Sequence, residues 1–257
     1  MVGMKTVKRG RSSLEDLFGV NAPRTGRNVE IGKKVVFGAS VVLYDNVVIE
    51  DGCSIGANVI VGEPALSAYR ESRYENPRTV IGRDAIIRSG TVVYAGCNLG
   101  PNLSTGHYAV IRENTVCGDQ CSFGTFATSD GDVKIGDRCR FHYYAHVCKT
   151  AKIGKDVWMF PKSMLLNDTH PPCGRCLQGP TLSDRAIIGS AATIAPKVRI
   201  GKDALIAAAS MVTKDVPDGM VAMGVPARIV AKASEVECRT GLLDHPYPWV
   251  RNYSRPR

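Results

Sequence analysis

Long uninterrupted apolar stretches are absent from this sequence. No segment approaches the roughly 20 apolar residues that a transmembrane helix needs. The first residues, MVGMKTVKRGRSS, are basic and lack the apolar core of a secretory signal peptide. We therefore expect a cytoplasmic protein that does not contact a membrane.

The sequence also lacks the pattern of a disulfide framework, although it contains nine cysteines. Five of them fall in the two inward-facing columns of a repeat described below: Cys53, Cys97, Cys117, Cys121 and Cys139. Cysteines at such positions act as small core hydrophobes rather than as bridge partners. Free thiols of this kind suit a reducing compartment.

Acidic residues are fewer than basic ones, and the formal net charge is +9. Nucleic-acid binding is the first function that this charge suggests. However, the sequence has no basic motif interleaved with aromatic residues, and its lysines and arginines do not gather on one predicted face. We therefore expect no nucleic-acid partner. A positive field suits an enzyme with polyanionic ligands better, because it raises their encounter rate.

A repeat of period six runs along almost the whole sequence. Every sixth residue is apolar in three runs that each keep phase, Ile31 to Val61, Ile81 to Leu165 and Ile188 to Val212, with Thr105 and Ser129 as exceptions. Period six fits neither an α-helix nor a simple alternating strand. It is typical of a solenoid whose coil is a triangle of three short strands.

A second column supports the same register. Two residues before each repeated apolar position lies a small or β-branched residue, for example Val35, Ala85 or Ala145. A narrow prism has room for one large and one small side chain per face, so both columns are predicted to point inward. A glycine such as Gly38 or Gly118 often follows the apolar position. We expect the chain to turn a corner there, where a residue without Cβ is favoured.

The repeat predicts an all-β fold with one solenoid domain over residues 29–224. Two stretches break its phase and are rich in proline or charge, at 63–79 and 167–185. Both are predicted to be protruding loops, and long loops on a rigid solenoid are usually functional.

The two ends are expected to be less regular. Residues 1–28 are predicted to form an irregular cap, with a short helix at 13–18 that begins after a serine N-cap. The tail from 225 to 257 is predicted to leave the prism, with a short helix over 228–237 and an extended segment at 244–249.

Several motifs resemble those of one superfamily. The segment Val212-Thr-Lys-Asp-Val-Pro, followed by Gly224-Val-Pro-Ala-Arg228, and the hexads themselves make the chain similar to left-handed β-helix acyltransferases of the hexapeptide-repeat superfamily, over roughly residues 29–230. Three further segments resemble acetyltransferases of sugar-modification pathways, several of which acylate amino sugars carried on nucleotides: 87–96, 105–113 and 166–172.

The resemblance implies more than a fold. Such enzymes are homotrimers, and acetyl-CoA lies along the groove between neighbouring prisms. The left hand of the coil also comes from the resemblance, since strand crossovers are usually right-handed. We therefore expect acetyl-CoA as co-substrate, a small-molecule acceptor and no metal.

His107 is the predicted general base. It lies two positions after Thr105, so it is expected to project outward at a corner of the prism, and the family's base is a histidine in the matching motif. Neutral imidazole can take a proton from an attacking amine or hydroxyl near pH 7. The alternative is a surface histidine beside a turn. Ser89 and Thr125 are its expected neighbours one coil away, and a backbone N–H of Gly124 or Thr125 is a candidate oxyanion donor.

Asn167 and Asp168 open the second loop and are further candidate site residues. In a trimer this loop could reach the His107 of a neighbouring chain and orient its imidazole or the acceptor. The alternative is a polar turn at the start of a loop.

For the donor, the resemblance places the pantetheine arm against the last coils. Small residues there permit close approach, and two cations are candidates for the CoA phosphates. The expected donor residues are Gly189, Ala207, Ala208, Lys214 and Arg228.

Metal sites are the remaining candidates. His170, Cys173 and Cys176 have the spacing H-x2-C-x2-C, which supplies three zinc ligands and lacks a fourth. An ordinary loop is therefore the preferred interpretation, with a zinc site and a redox pair as the alternatives. His107, His142 and His146 invite comparison with zinc-dependent carbonic anhydrases on the same fold. However, the first two lie two coils apart, about 10 Å at strand spacing, which is too far for one metal.

These observations favour an acetyl-CoA-dependent N-acetyltransferase that acts by direct attack on an amino sugar, in particular a nucleotide-linked one. O-acetylation of a sugar hydroxyl is the nearest alternative, because the same histidine would serve. A zinc-dependent hydratase and a non-catalytic solenoid remain as alternatives of other classes.

Overall fold

The computed structural model describes residues 21–71, 73–238, 240–241 and 247. In this part of the chain, thirty short strands form three sheets that wrap around one axis, and up to Met211–Val212 the chain visits them in the fixed order sheet 1, sheet 2, sheet 3. All pairings between successive coils are parallel, as in Val110–Ile111 against Thr128–Ser129. This is the predicted triangular β-helix.

The strand bounds follow the hexads. Sheet 1 contains Arg24–Thr25, Val42–Leu43, Ile60–Glu63, Val92–Tyr94, Val110–Ile111, Thr128–Ser129, His146–Val147, Met164–Leu165, Thr193–Ile194 and Met211–Val212. Sheet 2 contains Glu30–Ile31, Val47–Ile49, Thr79–Ile81, Asn98–Leu99, Val116–Cys117, Lys134–Ile135, Lys152–Ile153, Thr181–Leu182 and Arg199–Ile200. Sheet 3 contains Val36–Phe37, Ser54–Ile55, Ile86–Ile87, Ser104–Thr105, Ser122–Phe123, Arg140–Phe141, Trp158–Met159, Ile187–Ile188, Leu205–Ile206, Met220–Gly224 and Ala227–Lys232.

The core consists of the two inward columns of side chains that the repeat predicts. The second residue of most strands points inward and is buried, as are the small residues two positions earlier. The five cysteines assigned to these columns are buried and free, and so is Cys148. The two polar residues at repeated inward positions form hydrogen bonds with other buried hydroxyl groups. Thr105 Oγ1 lies 3.1 Å from Thr91 Oγ1, and Ser129 Oγ lies 3.0 Å from Thr115 Oγ1.

Glycine is required at these corners for a different reason from the one expected from the sequence. A Cβ on Gly124 would lie 2.6 Å from the backbone nitrogen of Tyr143 in the next coil, and one on Gly106 would lie 2.7 Å from the Gly124 carbonyl carbon. Close stacking of coils therefore excludes a side chain here. The left-handed conformation of the corner falls two residues later, on non-glycine residues such as Tyr108 (φ 54°) and Phe126 (φ 57°).

The ends differ from the sequence-based prediction. The β-helix begins at Arg24–Thr25, inside the segment expected to be an irregular cap. Instead of a helix over 228–237, Ala227–Lys232 is a strand that pairs antiparallel with Met220–Gly224, and only Ala233–Glu235 forms a 3-10 turn. The predicted helix at 13–18 and most of the extended segment at 244–249 lie outside the described residues.

Both predicted loops leave the prism. The first carries a 3-10 turn at Leu66–Tyr69 and is fastened by the buried Asn76, whose Nδ2 donates to Gly62 O at 2.6 Å. The second lies between Met164–Leu165 and Thr181–Leu182. None of the helices in the described part of the chain has the length and hydropathy to span a bilayer.

Candidate active site

His107 lies where the chain passes from sheet 3 to sheet 1, at the corner between Ser104–Thr105 and Val110–Ile111. We call this edge of the prism the 3–1 edge. The His107 side chain is exposed, as predicted for a residue two positions beyond the inward Thr105. Its backbone N–H donates to Thr125 Oγ1 in the next coil at 3.3 Å. The imidazole is thus presented to solvent from a backbone that both neighbouring coils hold in place.

Thr105 anchors the coil that carries His107. In other coils, the amide after each inward residue donates to a backbone carbonyl one coil away, as Gly56 N–H does to Ile87 O. The Arg88 N–H donates instead to Thr105 Oγ1 at 2.9 Å. The polar exception in the repeat therefore marks an irregularity of the sheet directly beside the predicted base.

A groove of about 450 Å³ opens beside the 3–1 edge on the outer face of sheet 3. Its lining includes Ser104, Ser122 and Arg140 on the face of sheet 3 and Thr125 and Tyr143 at the corner. The small serines leave this space because the outward residues of the coils on either side are larger. A group held in the groove would lie next to the His107 coil.

One of the two candidate oxyanion donors is already used. The Gly124 N–H donates to Phe141 O at 2.6 Å as part of the regular ladder, so it is not available to a ligand. The Thr125 N–H has no acceptor among the described residues, so it takes no part in the regular ladder. Of the two candidates, Thr125 is therefore the one whose N–H is left unengaged.

An aromatic ladder beside His107 was missed in the sequence analysis. Tyr108, Phe126 and Tyr144 occupy the same corner position in three successive coils, and all three are exposed. Their rings stack with centroids 5.5 Å and 5.0 Å apart. The spacing of 18 residues is readable from the hexads, but only if the outward columns are examined as well as the inward ones.

Arg140 was also missed. It is the outward residue of its strand in sheet 3, and its guanidinium lies 4.7 Å from the centroid of the Trp158 ring. This stacking directs a fixed positive charge along the groove wall. The two side chains are one coil apart in the same outward column, so the hexad register contains the signal.

His142 faces the same groove but is a poor proton acceptor. Its ring stacks on Phe160 with centroids 4.8 Å apart, and its buried Nε2 has no hydrogen-bond partner among the described residues. Burial lowers the pKa of His142 below its ordinary value, and the Arg140 guanidinium lowers it further. The ring is therefore neutral near pH 7.

The predicted donor residues divide between two edges. Gly189, Ala207 and Ala208 follow strands of sheet 3, so they lie on the 3–1 edge with His107. Five strand pairings separate the His107 coil from that of Ala208, about 24 Å along the axis. Arg228 pairs with Met223 beside the turn of the last hairpin, at the end of the same edge.

Lys214, Asn167 and Asp168 lie elsewhere. Each follows a strand of sheet 1, at the corner leading to sheet 2, which we call the 1–2 edge. Within one chain the structure therefore does not bring them to His107. Asn167 Nδ2 donates to Lys149 O at 3.3 Å, and the Asp168 carboxylate accepts the N–H groups of the loop that follows it.

Of the two groups of possible metal ligands, one is dispersed in the structure and the other is close together. His146 is held on the face of sheet 1 by Thr128 (2.9 Å) and Asp130 (3.3 Å), and among the described residues the histidines at 107, 142 and 146 form no metal-ligating cluster. In contrast, one ligand atom from each of His170, Cys173 and Cys176 lies within 4.8 Å of the others.

The Cys173 sulfur accepts hydrogen bonds from the backbone of its own loop. The Arg175 N–H, and after it the Cys176 N–H, donate to the Cys173 sulfur and lower the pKa of this thiol. The Arg175 nitrogen lies 3.4 Å from the sulfur. Both cysteines are exposed.

Comparisons with known proteins agree with the fold. The family model described as bacterial transferase hexapeptide (six repeats) matches residues 28–63. A 2,3,4,5-tetrahydropyridine-2,6-dicarboxylate N-acetyltransferase of Staphylococcus aureus is 38% identical over 84 residues, which are 33% of this chain and 34% of that protein. The chain thus spans about a third of the length of this curated relative.

Among solved structures, Arabidopsis UDP-N-acetylglucosamine acyltransferase superposes with a TM-score of 0.62 at 18% identity. The alignment covers 82% of this chain and 72% of that one, which supports the same fold over most of the prism. The family model and this structural similarity agree with the hexads and the three parallel sheets, and together they support a left-handed β-helix of hexapeptide repeats.

Proposed function

We propose that this protein is an acetyl-CoA-dependent acetyltransferase that N-acetylates an amino sugar, in particular one linked to a nucleotide. The observation that carries the proposal is the corner at His107. There an exposed imidazole, the unengaged Thr125 N–H and a groove of about 450 Å³ lined by Gly106 and Thr125 lie at one corner of the prism.

The corner supplies the groups that direct acyl transfer needs. His107 takes a proton from the acceptor amine as its nitrogen attacks the thioester carbonyl carbon. The Thr125 N–H donates to the oxyanion that forms. The carbon–sulfur bond then breaks, and the CoA thiolate leaves and is protonated by the imidazolium of His107. No covalent enzyme intermediate is required.

The donor is proposed to lie along the 3–1 edge. Gly189, Ala207 and Ala208 leave a shallow path beside the backbone, and Arg228 stands at its end, where a phosphate can be bound. The distance of about 24 Å along this edge suits an elongated ligand rather than a compact one.

A homotrimer is proposed to complete the site. Asn167, Asp168 and Lys214 lie on the 1–2 edge, so they reach a His107 corner only if the 1–2 edge of one prism faces the 3–1 edge of another. Such an arrangement gives each imidazole an orienting partner from the second loop of the adjacent chain. It also adds a second cation for the CoA phosphates.

The acceptor class is inferred from the groove. Arg140 provides a fixed cation for a phosphate, and the exposed aromatic ladder provides a flat surface on which a base or a sugar ring can stack. The net charge of +9 favours the approach of anionic ligands such as CoA and a sugar nucleotide.

A thiol-release assay with acetyl-CoA and a panel of nucleotide-linked amino sugars tests the proposal. The His107→Asn variant is expected to lower turnover by roughly 10²–10⁴-fold while its melting temperature stays unchanged. His146→Gln is the matched control, since that histidine lies on the face of sheet 1. Wild-type turnover in His107→Asn refutes the role of the base, and exclusive transfer to hydroxyl sugars refutes N-acetylation.

A further inference from the structure

Backbone hydrogen bonds close the second loop at its two ends. Its two ends are joined by an antiparallel bridge between Asp168 and Leu177, and the Gln178 N–H donates to Asn167 O at 2.8 Å. The Gly179 N–H then donates to a side chain of the coil below, Thr150 Oγ1, at 2.8 Å. The residues between the bridge partners are therefore held in a closed hairpin.

Asp168 shapes the inside of this hairpin. One carboxylate oxygen accepts the His170 N–H at 3.0 Å and the other accepts the Gly174 N–H at 3.1 Å. The Cys173 N–H also donates to His170 O at 2.8 Å. These three bonds bring the histidine and the two cysteines to one side of the loop.

The three side chains lie close together. One ligand atom from each of His170, Cys173 and Cys176 lies within 4.8 Å of the others. Two sulfurs bound to one tetrahedral zinc at bonds of about 2.3 Å are roughly 3.8 Å apart. A separation of at most 4.8 Å between the ligand atoms is compatible with this spacing.

The turn between the cysteines resembles the turn of thiolate metal sites. Gly174 adopts φ +61°, which a residue without Cβ takes without strain, and the Arg175 N–H points at Cys173 Sγ. Hydrogen bonds from outside the ligand set orient the ligands of metal sites. Both Asp168 and the Arg175 amide serve in this way.

We propose that His170, Cys173 and Cys176 bind one Zn²⁺ ion through an imidazole nitrogen and two thiolate sulfurs, with water in the fourth position. Nitrogen and sulfur donors select zinc over the hard cations Mg²⁺ and Ca²⁺. Binding releases the two thiol protons to solvent. The ion fixes the loop that begins with Asn167, and it stands apart from the His107 corner of the same chain.

This inference replaces the ordinary loop favoured from the sequence. The spacing alone showed three ligands and a missing fourth. The structure adds that the three ligand atoms lie within 4.8 Å of one another and that the loop is closed by its own hydrogen bonds. Three protein ligands with one open position are also a known arrangement for zinc.

Metal analysis of the full-length reduced protein tests the site directly. After incubation with zinc and gel filtration, the wild type is expected to retain about one zinc per chain, and cobalt substitution is expected to give a thiolate-to-cobalt charge-transfer band. The double variant Cys173→Ser with Cys176→Ser is expected to lose both. Cys238→Ser, outside the loop, is expected to keep both.

Trypsin provides a readout that does not depend on metal counting. Arg175 is exposed between the two cysteines, so cleavage after it reports opening of the loop. Zinc at 100 times its Kd is expected to slow this cleavage by up to about 100-fold in the wild type and not at all in the double variant. Wild-type zinc content no higher than that of the double variant, with no thiolate band and no protection, overturns the proposal, whether the cysteines are reduced or joined in a disulfide.

Discussion

Two phenylalanines three residues apart in one coil provide the sharpest test of how the prism is built. Phe123 is the inward residue of Ser122–Phe123 and is 1% exposed, with its ring 4.8 Å from that of Phe141. Phe126 is 41% exposed and stacks only within the outer aromatic ladder. The same substitution, phenylalanine to alanine, should therefore have different consequences at the two positions.

Phe123→Ala removes a fully buried ring from a column that cannot close around the gap, because rigid strands hold the neighbouring coils. The free energy of unfolding should fall by about 3–5 kcal/mol. For a chain of this length, that corresponds to a melting temperature lower by roughly 6–20 °C. Phe126→Ala should cost less than about 1.5 kcal/mol, since it loses only exposed ring stacking.

Circular dichroism melting curves of both variants and the wild type measure the difference. The KM for the acceptor should change at the other position. Well below its melting temperature, Phe123→Ala should keep the wild-type KM, whereas Phe126→Ala should raise it. Equal losses of melting temperature would refute the assignment of inward and outward columns. An unchanged KM in Phe126→Ala would refute a role for the aromatic ladder in acceptor binding.

Two further predictions concern titratable groups. Because burial lowers the pKa of His142, the unfolded chain binds more protons than the folded one below about pH 6.5, so this residue makes stability fall as the pH decreases from 7 to 5.5. The melting temperature of His142→Phe should therefore depend less steeply on pH over that range than that of the wild type. An equally steep dependence contradicts the prediction. Burial also raises the pKa of Cys97 and of Cys148 to about 12, so iodoacetamide at pH 8 should leave both unmodified in the native protein while it alkylates Cys173 and Cys176 after zinc is chelated. Mass mapping of the peptides measures this, and native alkylation of Cys97 would contradict the inward register.

The inward columns were predictable because they obey a local rule. In a triangular coil of short strands, the direction of a side chain depends only on its place in the hexad, so the burial of Phe123 or Cys139 needs no knowledge of distant residues. The exposure of His107 follows from the same count. Even the two polar exceptions were visible, although their partners one coil away were not.

The last hairpin shows where this local rule ends. A helix over 228–237 was a reasonable local prediction, but the strand Ala227–Lys232 forms because it pairs with Met220–Gly224 on the open end of sheet 3. Backbone groups exposed at a sheet end gain hydrogen bonds from any strand that can reach them. That gain depends on tertiary position, and no local pattern reports it.

By itself, the amino-acid sequence determined the coil, its three faces, the inward residues and the outward position of His107, since all of these repeat with a fixed period. Only the tertiary structure decided which outward residues share an edge, that Thr125 rather than Gly124 has an unengaged amide, and that His170 meets Cys173 and Cys176. These relations depend on hydrogen bonds between coils and on a loop outside the repeat. Neither of these follows the six-residue period.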